Sequence, residues 1–496
     1  MSGDRCHLHS RSQALVGILI VCCALSCATA LGQGLATSIA VNPSAPAPTP
    51  TQSLPPALTR SQDPLFGSVS SGKPTPGVMP LSALEAIDRG LKYNLSLILS
   101  AQATTAARGA RYRALADVLP NLTSHVAESV QEINLASFGI SLPGIPPIVG
   151  PFAVFDARVL ASGSLFDLHA LNLLHARSED VNAAQLDLQN VRDLIVLVVG
   201  GTYMQALAGQ ARIASVEAQL RTAQALYQQA LDMKNAGMAP GIDVLRTQVE
   251  MQAQQQRLVA ARNDFAKQKL TLERIIGLPA SQEITLTEKI PVTPVAPLTL
   301  EQALERAYRD RPDYHAAEAQ VRAAQLRRKA AISEALPTVR FNADYGILGR
   351  RPTENHPTYT TAAALNIPIF QGGKVKGEVM QADALLRQRE AALDDLRGQI
   401  EFEIHTSFLD LQSAAEQVQV AQSSIKLSEE TLTQARDRFR AGVATTVDVV
   451  QAQEALASST ENYINSSFAY NVAKLTLARS LGVAERAVKD FLGGKP

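Results

Sequence analysis

One unit of about 200 residues occurs twice in this 496-residue chain, and that duplication limits the fold more than any other feature. Ser82–Pro120 aligns without a gap onto Thr299–Pro337, a shift of 217 positions. Ala86/Ala303, Arg89/Arg306, Ala106/Ala323, Arg111/Arg328 and Leu119-Pro120/Leu336-Pro337 match in that register. Further along, the stretch Ala236 to Val244 aligns onto Ala441 to Val449 at a shift of 205, which still holds at Gly277/Gly482. The change of 12 makes the first copy longer between Pro120 and Phe166. Ordinary solenoid repeats, with periods of roughly 20–50 residues, are absent.

Both copies have the same internal order. A helical run (81–119, then 299–336) is stopped by a Leu-Pro step, because the residue before a proline disfavours helix. Two strand-like segments follow, then a long helical run (167–235, then 371–440), a Gly break, and a shorter helical run (242–277, then 447–482). The strands are clearest in the second copy, where Val339, Phe341, Ala343 and Tyr345 alternate with Arg340, Asn342 and Asp344. Tyr359, Thr361, Ala363, Leu365, Ile367 and Ile369 form the return face. In the first copy Ala153, Phe155, Ala157, Val159 and Ala161 line one face, with Asp156 and Arg158 on the other. Such period-2 segments of roughly 10 residues fit a transmembrane β-barrel, and equally hairpins of a soluble sheet. The long runs tip the balance: at 1.5 Å per residue they reach roughly 100 Å, more than a compact domain needs. The apolar burst Leu194–Val199 is too short to span a bilayer and reads as a buried helix seam. The runs 242–277 and 300–336, joined by a Pro-rich junction (279–298), together match one long helix and are expected to stack end to end beside it.

The N-terminus supplies the compartment. Arg5 and Arg11 precede the apolar stretch Ala14–Leu25, and Ala28-Thr29-Ala30 offers a cleavage site, so residues 1–30 read as a secretory signal peptide. All four cysteines (Cys6, Cys22, Cys23 and Cys27) precede residue 28, which excludes disulfides, thiolate metal sites and cysteine nucleophiles from the mature chain. Ala24-Leu25-Ser26-Cys27 is a degenerate lipobox; lipidation of Cys27 competes with ordinary cleavage near Ala30, the expected outcome. Residues 31–80, with nine prolines between Gln33 and Met79, read as a disordered linker. Repeat 1 then covers 81–278, repeat 2 covers 299–483, and 484–496 is a C-terminal tail. The 46 basic and 46 acidic residues cancel, which removes the electrostatic case for nucleic acid.

Over 81–484 the chain resembles the TolC-like outer-membrane efflux proteins. Three motifs carry the resemblance: the Leu-Pro strand entry at Pro120 and Pro337; Ile367-Pro368-Ile369-Phe370-Gln371-Gly372-Gly373, where the last strand turns into the long helix; and Ala-Gly with Asp-Val beginning six residues after the glycine, at Gly237/Asp243 and Gly442/Asp448. The resemblance implies a mainly α protein with membrane β, a homotrimer whose duplicated strand-strand-long-helix units form a 12-stranded β-barrel in outer-membrane lipid, continued by an α-helical barrel across the periplasm. It implies a periplasmic adaptor (membrane fusion) protein and an inner-membrane pump as partners, with Gly237 and Gly442 at the adaptor-docking tip and Asp243 and Asp448 in the entrance. Gln451 and Arg246 stand where some members carry a further acid, which argues against a strongly anionic entrance ring.

Enzymatic chemistry finds no support. Gln371-Gly372-Gly373-Lys374 lacks the full phosphate-loop spacing and reads as a strand-to-helix junction. The histidines, among them His125, His169, His175, His315, His356 and His405, show no metal-ligand spacing, and no cofactor is expected. Neither a nucleophile elbow nor paired catalytic carboxylates stand out. Two rivals to the channel remain: a periplasmic coiled-coil structural protein of the envelope without a pore, and a secreted enzyme with helical spacers.

Overall fold

A computed structural model describes residues 63–70, 76–139, 143–288, 290, 293–294 and 298–492. The expected signal peptide, Cys27 and the linker up to residue 62 lie outside the described residues. The duplication is visible element by element. Copy 1 holds helices α1 (Ala83–Tyr93) and α2 (Leu95–Ala116), strands β2 (Asn121–Asn134) and β3 (Ile148–Phe166), the long helix α3 (Leu168–Asn235) and α4 (Gly241–Ile275). Copy 2 holds α5 (Leu300–Asp310) and α6 (Pro312–Ser333), β5 (Thr338–Arg351) and β6 (Glu354–Asn366), the long helix α7 (Lys374–Arg440) and α8 (Thr446–Ser480). Short strands β1 (Met79–Leu81) and β4 (Ile284–Leu286) pair in parallel.

Each first helical run, expected to be continuous, is broken in two at equivalent positions. Asn94 and Arg311 both adopt extended backbone between helices. Arg311 is forced there by Pro312, whose ring also suits the first helical position. Asn94 instead ends α1 and caps α2, its Oδ1 accepting from the Ser96 amide at 2.9 Å. The preceding helices start on capping boxes, Ser82 with Glu85 and Thr299 with Gln302. Within the stretch expected as linker, described residues pack on the helices. Pro64–Phe66 forms a 3-10 turn, the Val69 amide donates to the Tyr93 carbonyl at 2.9 Å, and Asn94 Nδ2 donates to the Leu65 carbonyl at 2.7 Å. The expected tail begins with a helix, α9 (Ala484–Leu492), whose first turn is held by Asp193 Oδ1 on the Glu485 amide at 2.8 Å.

The helices stand in four columns, and the stacking differs from the expectation. α4 ends against the break between α1 and α2, within copy 1: a Cβ on Gly277 would lie 2.6 Å from Cβ of Tyr93, the last residue of α1. α8 ends likewise against the start of α6, a Cβ on Gly482 lying 2.6 Å from Arg311 Cα. Stacking thus joins helices of one copy rather than helices adjacent in the chain. The long helix α3 has the α2/α4 stack on one side, through Thr104 to the Ala184 carbonyl (3.1 Å) and Arg262 to Glu217 (2.8 Å). On its other side stands the α6/α8 stack, through Arg322 to Glu179 (3.0 Å) and Arg212 to Glu461 (2.6 Å). Beyond that stack comes α7. The apolar burst in α3 is buried as expected: Ile195, Val196 and Val199 are fully enclosed in the largest core, with Tyr203, Leu272, Ile275 and Leu475.

Copy 2 replaces part of that core with charge. Arg311 is 1% exposed and pairs with Asp313 and Glu403, each at 2.7 Å, while Arg479 reaches both acids at 3.5 Å. The four strands form one antiparallel sheet in the order β2–β3–β5–β6. The extra length of copy 1 lies in its strand connection, residues 135–147 against residues 352–353 in copy 2.

Candidate functional site

Register divides the sheet into two chemically different faces. Leu122, Ala161, Ala343 and Thr361 stand in one row, Val126, Ala157, Ile347 and Pro357 in another, with Val159, Tyr345 and Tyr359 between them. Paired residues share a face, so one side is a largely apolar surface, with Ser124 and Thr361 its polar members in these rows. About nine residues of a strand tilted near 40° make that band roughly 25 Å tall, the height of an outer-membrane apolar belt. The opposite face carries His125, Asp156, Arg158, Arg340, Asn342 and Asp344. Arg158 bridges Asp156 on its own strand and Asp344 on the next, the latter at 3.6 Å. A water-filled interior tolerates such charges and hydrocarbon does not. Among the described residues, both outer strands, β2 and β6, keep an unpaired edge.

The opposite end of the molecule consists of two equivalent turns. Gly237 and Gly442 both adopt φ +74° directly after their long helices. The Met238 amide donates to the Met233 carbonyl at 2.8 Å, and the Val443 amide to the Arg438 carbonyl at 3.0 Å, a C-terminal cap that needs the left-handed residue. A side chain at either glycine would meet nothing within 4 Å, so the backbone there is open to solvent. Both long helices run from the sheet to these turns, and 68 residues of α3 span about 100 Å.

The aspartates fall one turn inside the returning helices, in different settings. Asp448 closes a capping box: the Thr445 amide and hydroxyl donate to its Oδ2 at 2.7 and 2.8 Å, and the Asp448 amide donates back to the hydroxyl at 3.4 Å. Donation from the Thr445 backbone, then from its hydroxyl, holds the Asp448 carboxyl below its usual range. Asp243 follows Pro240, which offers no side-chain cap, and faces Arg246 at 3.5 Å. Asp243 and Asp448 thus serve their own helix starts, and Arg246 offsets the first.

Sequence reasoning missed the groove between those helix starts. Ile242, Leu245, Val249, Val447 and Val450 line a cavity of about 390 Å³, edged by Arg246, Glu250 and Gln451. Its only signal was apolar residues on a helix with no marked amphipathic face. Among the described residues no group of three or more His, Asp or Glu is arranged to hold a metal. Two of the histidines are engaged locally, His169 with Glu334 at 3.3 Å and His315 with the Arg309 carbonyl at 2.8 Å.

Residues 152–278 and 302–483 match the outer membrane efflux protein family. The chain belongs to that family. Relatives include the pyoverdine export outer membrane protein OpmQ of Pseudomonas putida, 24% identical over 341 residues, covering 66% of this chain and 70% of the relative. Another is the alkaline protease secretion protein AprF of Pseudomonas aeruginosa, 23% identical over 302 residues, or 60% of this chain and 63% of the relative. The fold matches the outer-membrane channel OprN, with a TM-score of 0.70 at 20% identity over 81% of this chain and 89% of that one. It also matches VceC from Vibrio cholerae, with a TM-score of 0.69 at 19% identity over 81% and 96%. This efflux-family chain is therefore an outer-membrane channel component with a helical part in the periplasm, and the pore-less coiled-coil alternative has no support.

Proposed function

We propose that the mature chain is a homotrimer whose twelve strands close one barrel in the outer membrane, and whose helical columns continue it as a tunnel across the periplasm. The observation that carries this reading is the two-faced four-stranded sheet with two open edges. Lipid does not tolerate open edges, and four strands cannot close on themselves. The columns are likewise an open arc: α7 carries exposed Phe402, Leu409, Val420 and Leu427, and α4 carries exposed Val249, Val259 and Leu270. A second copy is the natural cover for both.

Transport through such a conduit is passive passage rather than catalysis. A periplasmic adaptor engages the tip turns at Gly237 and Gly442, and an inner-membrane pump supplies the energy. The open backbone at both glycines and the apolar groove beside them support docking at this end. Asp243 and Asp448 border the entrance but are engaged at their helix starts, so their field there is weak. Cargo is set by the pump. The test is fractionation followed by light scattering in detergent: the protein is expected in outer membranes with the mass of a trimer. A monomer at every concentration would rule the closed barrel out.

A further inference from the structure

We infer that the outer face of the helices just beneath the sheet is a basic collar that binds the phosphate of anionic phospholipids in the periplasmic leaflet of the outer membrane. This rests on the reading above that the sheet lies in lipid and the columns form a ring, and it adds what fixes the height of the protein in the bilayer.

Charge is spread unevenly along the columns. The twelve residues nearest the sheet on each column (108–119, 167–178, 325–336 and 371–382) hold nine basic and four acidic side chains. The twelve nearest the tip turns on each (225–236, 237–248, 430–441 and 442–453) hold five of each kind. The whole chain is neutral, so the excess of five positive charges beside the sheet is local. Neighbouring acids engage only some of these cations: Arg177 and Arg327 meet Asp180, Arg328 meets Asp383, and Lys374 meets Glu334. Arg108, Arg113, Lys329 and Lys376 are exposed, and among the described residues no acid pairs with them.

Helix faces show where part of this charge points. α6 meets α3 at Ala330 and Ser333, and α7 at Gln320 and Arg328. At 3.6 residues per turn those contacts leave one wide arc uncovered. Gln325, Lys329 and Ile332 stand on it, with Leu336 in the turn that follows, and all four are exposed. Both neighbours of a helix in a ring lie toward the axis, so the wide arc is the outer face. Along this stripe the apolar residues come first, Leu336 and Ile332 beside the sheet, and Lys329 lies about 10 Å below Leu336. The aligned stripe of copy 1 is Leu119, Leu115, Tyr112 and Arg108, the same order with an aromatic ring and a guanidinium at its polar end. Leu119, Tyr112 and Arg108 are exposed there. A surface that passes from apolar side chains to Tyr, Lys and Arg within a few turns fits a membrane interface. Aromatic rings sit at headgroup level, and long cationic side chains reach phosphate from below it. Both stripes continue the largely apolar face of the sheet, so one lipid leaflet covers all three.

Native mass spectrometry of the full-length protein, purified in neutral detergent and offered equal amounts of phosphatidylglycerol and phosphatidylcholine, tests the collar. One cation near an anionic surface strengthens attraction about fivefold, so phosphatidylglycerol should be retained about fivefold more than phosphatidylcholine. Arg108→Gln with Lys329→Gln removes the cation from both stripes and should cancel that preference, leaving the helical circular dichroism and insertion into vesicles unchanged. Equal retention of the two lipids by the unsubstituted protein, or an undiminished preference in the double variant, overturns the collar. Loss of the bound phosphatidylglycerol to excess inorganic phosphate would assign the site to free phosphate and overturn the lipid. Protein that inserts into vesicles of neither lipid overturns instead the membrane reading on which the collar rests.

Discussion

Docking at the duplicated tip glycines, as proposed, can be tested apart from folding. Gly237 and Gly442 share φ +74° with open space where a side chain would go. Replacement costs only the left-handed backbone, about 1–2 kcal/mol at each turn. Gly277 (φ +74°) and Gly482 (φ +71°) share the conformation but not the space. A Cβ on Gly482 would approach the Arg311 backbone to 2.6 Å, and one on Gly277 would lie 3.0 Å from the Val69 carbonyl. Backbone cannot swing aside, so overpacking adds about 1–3 kcal/mol per site to the conformational cost. Gly277→Ala with Gly482→Ala should therefore lower the thermal midpoint of the trimer markedly. Gly237→Trp with Gly442→Trp should leave assembly and membrane insertion near wild type while abolishing export and cross-linking to the cognate adaptor. Export and cross-linking at wild-type levels in the tryptophan double variant would refute docking at the turns.

Three further outcomes are expected. Arg311→Ala removes the closer partner of Asp313 and Glu403, leaves them only Arg479 at 3.5 Å, and opens a buried cavity; it should destabilise the fold by about 3 kcal/mol, the low end for a broken buried pair, read by thermal denaturation, and a loss under about 1 kcal/mol would contradict the buried pair. Glu273 is enclosed, its Oε2 has no hydrogen-bond partner among the described residues, and burial pushes its carboxyl up to about 7. From its ordinary range up to about pH 7 the folded chain keeps a proton that the unfolded chain releases, so stability falls as pH rises through that window. Glu273→Gln should remove that fall and gain roughly 1–3 kcal/mol at pH 8; parallel pH profiles would argue against it. Intact-mass measurement should find cleavage near Ala30, and a diacylglyceryl-modified Cys27 at the new terminus would reverse that expectation.

Periodicity made the long helices, the strand faces and the tip glycines legible, because each repeats twice with the same spacing. The helix breaks were not, for opposite reasons. Pro312 was a visible signal inside an otherwise helical run, whereas Asn94 differs little from other polar residues until its side chain finds the Ser96 amide. End-to-end stacking was misassigned because chain order suggested it, while packing at Gly277 and Gly482 decides it. Composition hid the ordered stretch 63–70, where three residues, Pro64-Leu65-Phe66, dock inside a Pro- and Ser-rich background. The tip groove required two helices 205 positions apart in sequence to be brought side by side, which no local pattern reports.

Single-channel recording tests the conduit itself. The purified protein added to a planar lipid bilayer should give discrete, uniform conductance steps, because in the proposed closed barrel the polar face lines a water-filled path. Gly237→Trp with Gly442→Trp should conduct as well, since the proposed docking turns and the sheet lie at opposite ends of helices about 100 Å long. Trimers that insert into the bilayer and pass no current would contradict a channel.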